Sequence, residues 1–253
     1  MEQRVFFYES VDSTNERAFA ALASGDARHF DVHLAAEQTA GRGRRGASWA
    51  SARGEGLYMS VVLLPPAPAL HPAALTMAGG LAVFRALRQA GATRARLKWP
   101  NDVLVDGAKI AGVLVETRGL EVARPQYVVG LGVNVRQRSF APELVAQRPV
   151  TSLALLGVEC GIEQLRAAIC SALANELERV RVPARELLDD YLEATELRGK
   201  RVLVEMPDGE HVGVLTALAL ATGLELSVDA AAAGSARVER LPIEHVRQVR
   251  VLT

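Results

Sequence analysis

Cysteine and aromatic residues are scarce in this 253-residue chain, and so are long apolar runs. With only two cysteines, Cys160 and Cys170, the sequence predicts no disulfide framework. The N-terminal residues lack the apolar core of a signal peptide, and no apolar run is long enough to cross a bilayer. We therefore expect a reduced, cytoplasmic protein that has no membrane partner.

An excess of charge of either sign is also missing. The formal net charge is +0, which gives no general reason to bind nucleic acid or an anionic surface. Of the 29 lysine and arginine residues, only Lys98, Lys109 and Lys200 are lysine. Where lysine persists in such an arginine-rich chain, a compact ammonium group can be required. This singles out Lys98 and Lys109 in mid-chain, whereas we assign Lys200 to the surface at a domain boundary.

The hydrophobic pattern predicts an α+β fold followed by a small all-β unit, with the boundary between residues 1–197 and 198–253. The change at this boundary is from mixed strands and helices to short strands alone, which favours a β-barrel for the second unit. Predicted strands cover residues 5–8, 32–37, 56–64, 94–98, 103–105, 110–116, 127–135, 201–205, 211–220, 224–228, 237–241 and 246–252. Predicted helices cover residues 13–23, 72–90, 162–182 and 183–196, the first opened by a capping box of Ser13 and Glu16.

Residues 41–46 form the most unusual segment, Gly-Arg-Gly-Arg-Arg-Gly. Glycine provides backbone freedom, and arginine provides forked donors that suit carboxylate or phosphate. The segment, called here the Gly/Arg loop, predicts a cationic lid over an anionic ligand; a solvated basic loop is the alternative. It is neither a dinucleotide fingerprint nor a P-loop, because no helix follows and Gly46 precedes Ala47 and Ser48.

Four further clusters carry polar chemistry, and none contains an evident nucleophile, zinc-ligand spacing or catalytic elbow. They supply cations, amides and one carboxylate suited to a metal, an inventory that favours phosphoryl or nucleotidyl transfer. Two glycines in the last cluster indicate that another group approaches the strand backbone closely. The clusters are residues 13–15 with Gln38, residues 98–102, residues 109–116 and residues 130–134.

Taken in order, Gly-Arg-Gly-Arg-Arg-Gly at residues 41–46, Lys-Trp-Pro-Asn-Asp at 98–102, Lys-Ile-Ala-Gly at 109–112 and Gly-Leu-Gly-Val-Asn at 130–134 resemble the motifs of biotin protein ligases. The resemblance spans roughly residues 11–135. It implies a class II synthetase-like mixed sheet packed with helices, plus a C-terminal SH3-like barrel. It also implies a short form without the DNA-binding domain of some members, and hence no DNA partner.

The implied reaction activates biotin with ATP to biotinyl-5′-AMP and then transfers biotin to a lysine of a biotin carboxyl carrier protein. Mg²⁺ is the implied metal, with Asp102 as its candidate ligand, and the implied catalytic residues are Lys109, Arg42 and Arg44. The implied biotin-binding residues are Ser13, Thr14, Asn15, Gln38, Gly41, Arg42, Gly43, Arg44, Lys109 and Gly112. The implied ATP-binding residues are Arg42, Arg44, Arg45, Lys98, Trp99, Asn101, Asn134 and Lys109.

Purely structural roles compete with several of these assignments. Ser13 can be a helix cap, Lys109 an edge-strand charge, Lys98 a strand-end charge and Trp99 a core residue. A lipoate-protein ligase and a non-enzymatic nucleic-acid or partner-binding module are the alternative functions. Residues 243–247 depart from the Gly-Glu-Val-Ser-like run of many bacterial members. Whether the small unit contacts ATP or the carrier protein is therefore left open. A homodimer is left open as well.

Overall fold

The computed structural model describes residues 3–65, 69–118, 125–181, 183–228 and 237–252. Within these residues the first part of the chain builds a mixed seven-stranded sheet with the order β1-β2-β3-β7-β6-β5-β4. All neighbours are antiparallel except β1 and β2. Its strands are β1 (Val5–Tyr8), β2 (Val32–Ala35), β3 (Gly56–Leu63), β4 (Ala95–Lys98), β5 (Asp102–Val105), β6 (Ala108–Glu116) and β7 (Tyr127–Asn134).

Helices cover both faces of this sheet. Val62 and Val128 pack in one cluster with helix α1 (Thr14–Ser24), whereas their chain neighbours Val61 and Val129 belong to the main core. Since successive strand residues point to opposite faces, α1 lies on the face opposite the main core. The remaining helices are α2 (Pro72–Gln89), α3 (Pro142–Gln147), α4 (Ile162–Leu177) and α5 (Arg185–Thr195). Helix α2 packs against the sheet and against α4 and α5. None of the described helices is long and apolar enough to cross a membrane.

The C-terminal part is a five-stranded antiparallel sheet with the order β11-β10-β9-β8-β12. Its strands are β8 (Arg201–Met206), β9 (Gly209–Ala219), β10 (Gly223–Val228), β11 (Arg237–Leu241) and β12 (Gln248–Val251). Among the described residues β11 pairs only with β10 and β12 only with β8. The predicted small β unit is confirmed as an antiparallel sheet; its two edge strands are not hydrogen-bonded to each other within the described residues, so a closed barrel stays a prediction.

The two sheets share one hydrophobic core. Trp99 is 5% exposed, and its indole Nε1 donates to the carbonyl of Val246 at 3.4 Å. Its ring also meets Tyr191 of α5 edge-on, with 6.1 Å between the ring centroids. Buried residues on both sides of residue 197 belong to a single cluster, so the proposed division into units at that residue stays a prediction.

The predicted elements agree with the structure, with three local differences. Helix α4 ends at Leu177 rather than at residue 182, and the short helix α3 was not predicted. Ser13 precedes α1 in extended conformation, but its side chain forms no capping hydrogen bond, so the predicted capping box is wrong. The predicted turn between β5 and β6 is confirmed, with φ of 50° at Asp106 and 81° at Gly107.

Replacing Trp99 with alanine should lower the free energy of unfolding by about 3–5 kcal/mol, because a buried indole leaves a cavity between the two sheets. Urea denaturation of the wild type and the variant measures this difference. Val145→Ala is the control, since Val145 is 52% exposed on α3. Equal stability of the Trp99 variant and the wild type would contradict a shared core.

Candidate functional site

A cavity of about 350 Å³ opens beside the N-terminus of α1, between the Gly/Arg loop and strands β6 and β7. It brings together groups that are far apart in the sequence, as the separate motifs predict. Of the sequence-predicted site residues, the cavity is lined by Ser13, Thr14, Asn15, Gln38, Arg42, Gly43, Arg44, Asn101, Asp102, Lys109, Gly112 and Asn134.

Three glycines leave the floor of this cavity without side chains. Gly112 on β6 pairs directly with Gly132 on β7, and Gly130 lies two residues earlier on β7. A methyl group added to Gly132 would lie 2.5 Å from the Trp49 ring, and one added to Gly130 would lie 2.5 Å from Oδ1 of Asn15. The close approach predicted for β7 is therefore confirmed, and the approaching groups are these two side chains.

The polar end of the cavity is a connected set of amides and hydroxyls. Gln38 Oε1 accepts from the backbone NH of Thr14 at 2.9 Å, and its Nε2 donates to Ser51 Oγ at 2.9 Å. Ser60 Oγ lies 2.7 Å from Thr14 Oγ1 and 2.5 Å from Asn15 Oδ1. Because these side chains fix one another, the cavity presents hydrogen-bonding groups at defined positions.

A β-bulge places Lys109 in the cavity. Val103 and Leu104 are adjacent on β5, but their partners Ala111 and Lys109 are two residues apart, so Ile110 is the extra residue on β6. Bulges re-aim side chains in this way next to functional sites. As a result, the Lys109 ammonium group lies close to Gly112: a methyl group added to Gly112 would lie 3.2 Å from Lys109 Nζ.

Lys109 is a buried cation with one carboxylate partner. Its Nζ lies 2.6 Å from Asp102 Oδ1 and 5.2 Å from the centroid of the Trp49 ring. Burial lowers the pKa of Lys109, and the ion pair with Asp102 offsets part of that effect. The Asp102 carboxylate therefore holds the ammonium group in place, and the ammonium group can still attract an incoming anion.

The Gly/Arg loop folds back on itself. The backbone NH of Trp49 donates to the carbonyl of Gly41 at 2.9 Å, and the NH of Gly43 donates to the carbonyl of Ala47 at 2.6 Å. Arg45 adopts a left-handed conformation with φ of 55°. A methyl group on Gly41 would lie 2.5 Å from the Trp49 carbonyl, so this turn requires glycine there.

The arginines of the loop have different surroundings. Arg42 forms ion pairs with Glu16 and, at 2.9 Å, with Glu116. Arg44 lines the cavity, forms no ion pair with any described residue, and has its pKa lowered by burial. The charge of Arg42 is thus already compensated by protein carboxylates, whereas Arg44 lines the cavity without a carboxylate partner among the described residues.

Four sequence-predicted site residues do not line the cavity: Gly41, Arg45, Lys98 and Trp99. Gly41 and Arg45 line a second pocket along the Gly/Arg loop, and Lys98 ends β4. The structure does not support Trp99 as a nucleotide platform, because its ring is buried between the two sheets. Trp49, which received no role from the sequence, is the tryptophan that lines the cavity.

A further segment, to which the sequence assigned no role, also lines the cavity. Residues 137–150 contribute Gln137, Phe140 and the half-buried Arg148. The backbone NH of Lys109 donates to the carbonyl of Pro149, and Thr151 NH donates to the carbonyl of Lys109, both at 2.9 Å. No motif marks these residues, and their position became evident only from the pairing with β6.

A metal site is not formed by protein groups alone. The described residues contain no cluster of three or more His, Cys, Asp or Glu side chains suited to a metal ion. Mg²⁺ commonly uses one or two carboxylates together with substrate phosphates, so Asp102 remains compatible with it. The assignment of Mg²⁺ to Asp102 stays a prediction, since that carboxylate is paired with Lys109.

Comparison with known proteins agrees with a ligase fold. A sequence model of the biotin/lipoate A/B protein ligase family matches residues 7–134. The biotin--[acetyl-CoA-carboxylase] ligase of Mycobacterium tuberculosis is 39% identical over 208 residues, which cover 79% of this chain and 74% of that protein. The biotin protein ligase from Aquifex aeolicus, solved in complex with biotin and ATP, superposes with a TM-score of 0.74 at 25% identity and covers 94% of this chain and 99% of its own.

The mixed sheet and its glycine-floored cavity thus define a ligase-type catalytic domain. More narrowly, the chain belongs to the biotin/lipoate A/B protein ligase family. The bifunctional ligase/repressor BirA of Bacillus subtilis is 34% identical over 138 residues, 54% of this chain. The chain spans only 42% of the length of that relative.

Replacing Gly132 with alanine should displace the Trp49 ring, because the added methyl group has no room beneath it. We expect iodide to quench tryptophan fluorescence more strongly in Gly132→Ala than in the wild type, since Trp99 is buried and Trp49 is the responsive ring. Gly161→Ala serves as the control, because its added methyl group has its nearest neighbour at 3.7 Å. Unchanged quenching in a folded Gly132→Ala protein would contradict the placement of Trp49.

Proposed function

We propose that this protein activates biotin with ATP to biotinyl-5′-AMP and transfers biotin to a lysine of a biotin carboxyl carrier protein. The observation that carries this proposal is the cavity in which the polar end, Lys109 and Arg44 converge. Family membership and the biotin-ligase names of the relatives support it. Acetyl-CoA carboxylase is the source of the carrier that those names indicate.

The cavity offers the two surroundings that biotin needs. Its ureido ring has donors and acceptors, which match the amide and hydroxyl groups of Thr14, Asn15 and Gln38. Its thiophane ring and alkyl chain are apolar, and the Trp49 ring above Gly132 gives them a flat surface. Lipoate has no ureido group to hydrogen-bond with these preset side chains, and this observation favours biotin.

The first step joins two anions. The biotin carboxylate attacks the α-phosphorus of ATP, a C–O–P bond forms, and the bond to pyrophosphate breaks, so pyrophosphate leaves with the electron pair. Lys109, which lines the cavity, would contact the carboxylate and the α-phosphate, where the negative charge concentrates. Arg44, which lines the cavity and has no carboxylate partner among the described residues, would neutralise phosphate charge.

In the second step the neutral amine of the acceptor lysine attacks the carbonyl carbon of the mixed anhydride. An amide bond forms, AMP leaves, and the amine proton passes to solvent or to the leaving phosphate. The contribution of the Gly/Arg loop is to shelter the anhydride from water until the carrier arrives. Mg²⁺, held by Asp102 together with the phosphates, would supply further charge neutralisation.

Biotin-dependent exchange between ATP and labelled pyrophosphate tests the proposed first step. We expect exchange with biotin and none above background with lipoate, followed by labelling of a carrier protein on its acceptor lysine. Exchange with lipoate alone would establish the lipoate ligase alternative instead. Salt-sensitive binding to nucleic acid without any exchange would favour the non-enzymatic binding module.

Lys109→Arg should slow adenylate formation by about 10²–10³-fold, because a guanidinium keeps the charge but cannot occupy the position of the ammonium group. Initial rates of pyrophosphate exchange measure this effect, with circular dichroism to verify folding. Lys200→Arg is the matched control on an exposed lysine. Near-normal exchange in Lys109→Arg would remove Lys109 from the centre of the reaction.

The exchange rate should also fall at alkaline pH, because the reaction uses the charged form of Lys109. Burial lowers the pKa of Lys109 below the ordinary lysine value of 10.5, so the fall should begin at a lower pH than for an exposed lysine. The residual rate of Lys109→Arg should lack this fall, since a guanidinium stays protonated throughout. Identical pH profiles for the two proteins would show that another group is titrating.

A further inference from the structure

A single carboxylate connects the Gly/Arg loop to the polar end of the cavity. Glu116 Oε2 accepts from Arg42 Nη2 at 2.9 Å and from Asn15 Nδ2 at 2.6 Å. Glu116 ends β6, Asn15 belongs to the first turn of α1, and Arg42 lies in the Gly/Arg loop. Three elements that surround the cavity therefore meet at one oxygen atom.

The Asn15 end of this connection is fixed inside the protein. Asn15 is 4% exposed, and its Oδ1 lies 2.5 Å from Ser60 Oγ on β3. The missing side chain of Gly130 makes room for it, because a methyl group there would lie 2.5 Å from Asn15 Oδ1. Asn15 can thus turn little without breaking its contact with either Ser60 or Glu116.

The Arg42 end carries a second carboxylate. Arg42 Nη1 donates to Glu16, which also accepts from Arg118 Nη2 at 2.5 Å. Hydrogen bonding from Arg118 is the main cause that lowers the pKa of Glu16. The Arg42 and Glu116 side chains are 34% and 28% exposed, so solvent screens their ion pair less than one on the open surface.

We propose that Glu116 is a positioning residue that couples the binding of biotin at the polar end of the cavity to the closure of the Gly/Arg loop. The proposal rests on the proposed function, since biotin is the ligand that contacts Asn15. Glu116 holds Arg42 in the loop while its other hydrogen bond holds Asn15. A ligand that hydrogen-bonds to Asn15 therefore strengthens a network that ends at Arg42, and so stabilises the loop. The role of Arg42 is then to anchor the loop, whereas Arg44 faces the substrates.

Trypsin reports the state of the loop directly, because it cleaves after Arg44 and Arg45. Glu116→Gln keeps the size of the side chain and an acceptor for Asn15 but removes the charge that pairs with Arg42. We expect cleavage after Arg44 and Arg45 to rise several-fold in this variant, relative to cleavage after the exposed Arg198 of the same molecules. Mass spectrometry of the early fragments identifies the sites.

Glu163→Gln is the matched control. It removes the same charge from an ion pair with Arg166 on α4, far along the chain from the loop. The rate of loop cleavage in this variant should equal that of the wild type. An equal rate in Glu116→Gln, with folding intact, would overturn the proposal, because the loop would then not depend on Glu116.

Adding biotin separates coupling from simple anchoring. In the wild type, biotin should protect Arg44 and Arg45 from trypsin; in Glu116→Gln this protection should need about tenfold more biotin. In exchange assays the same variant should raise the KM for biotin more than it lowers kcat, since the charges at the reacting atoms are intact. An unchanged biotin dependence would overturn the coupling, whereas absence of protection in the wild type would instead count against the proposed function.

Discussion

The missing side chains of Gly112, Gly130 and Gly132 are the constraint on which the site depends. These three residues lie on adjacent antiparallel strands and expose the backbone at one place on the sheet. Asn15 and the Trp49 ring fill part of that space, and the remainder is the cavity. A side chain at any of the three positions would move a group that the site uses. The cavity therefore depends on the absence of these side chains as much as on the polar residues around it.

The second constraint is electrostatic. Lys109 is brought onto the cavity face by the extra residue Ile110, and its burial is tolerable because Asp102 lies 2.6 Å away. A buried cation without a partner would be strongly disfavoured, and one with a fully satisfied set of partners would have little attraction left for a substrate. One carboxylate and one aromatic face leave Lys109 charged and still able to bind an anion.

The sequence predicted most strands and helices, because periodicity is a local property of the chain, and most of its candidate site residues line the cavity, because they belong to short contiguous motifs. It did not predict that Trp49 rather than Trp99 reaches the cavity, since both tryptophans follow polar motifs and their burial depends on distant partners such as Val246. Nor did it predict the contribution of Arg148. That residue lies near Lys109 because the Lys109 backbone donates to the carbonyl of residue 149 and accepts from the NH of residue 151, a pairing that no pattern in the sequence marks.

The Gly/Arg loop shows why a motif alone does not assign roles to its residues. Arg42 and Arg44 are two positions apart and chemically identical, yet Glu16 and Glu116 compensate only the first. The third arginine of the loop, Arg45, does not line the cavity. Like charges in such a loop repel one another and the nearby Lys109. Pairing Arg42 with carboxylates reduces that repulsion and ties the loop to α1 and β6. The charge of Arg44 then remains available for phosphate, and closure of the loop depends on residues that do not themselves meet the reacting atoms.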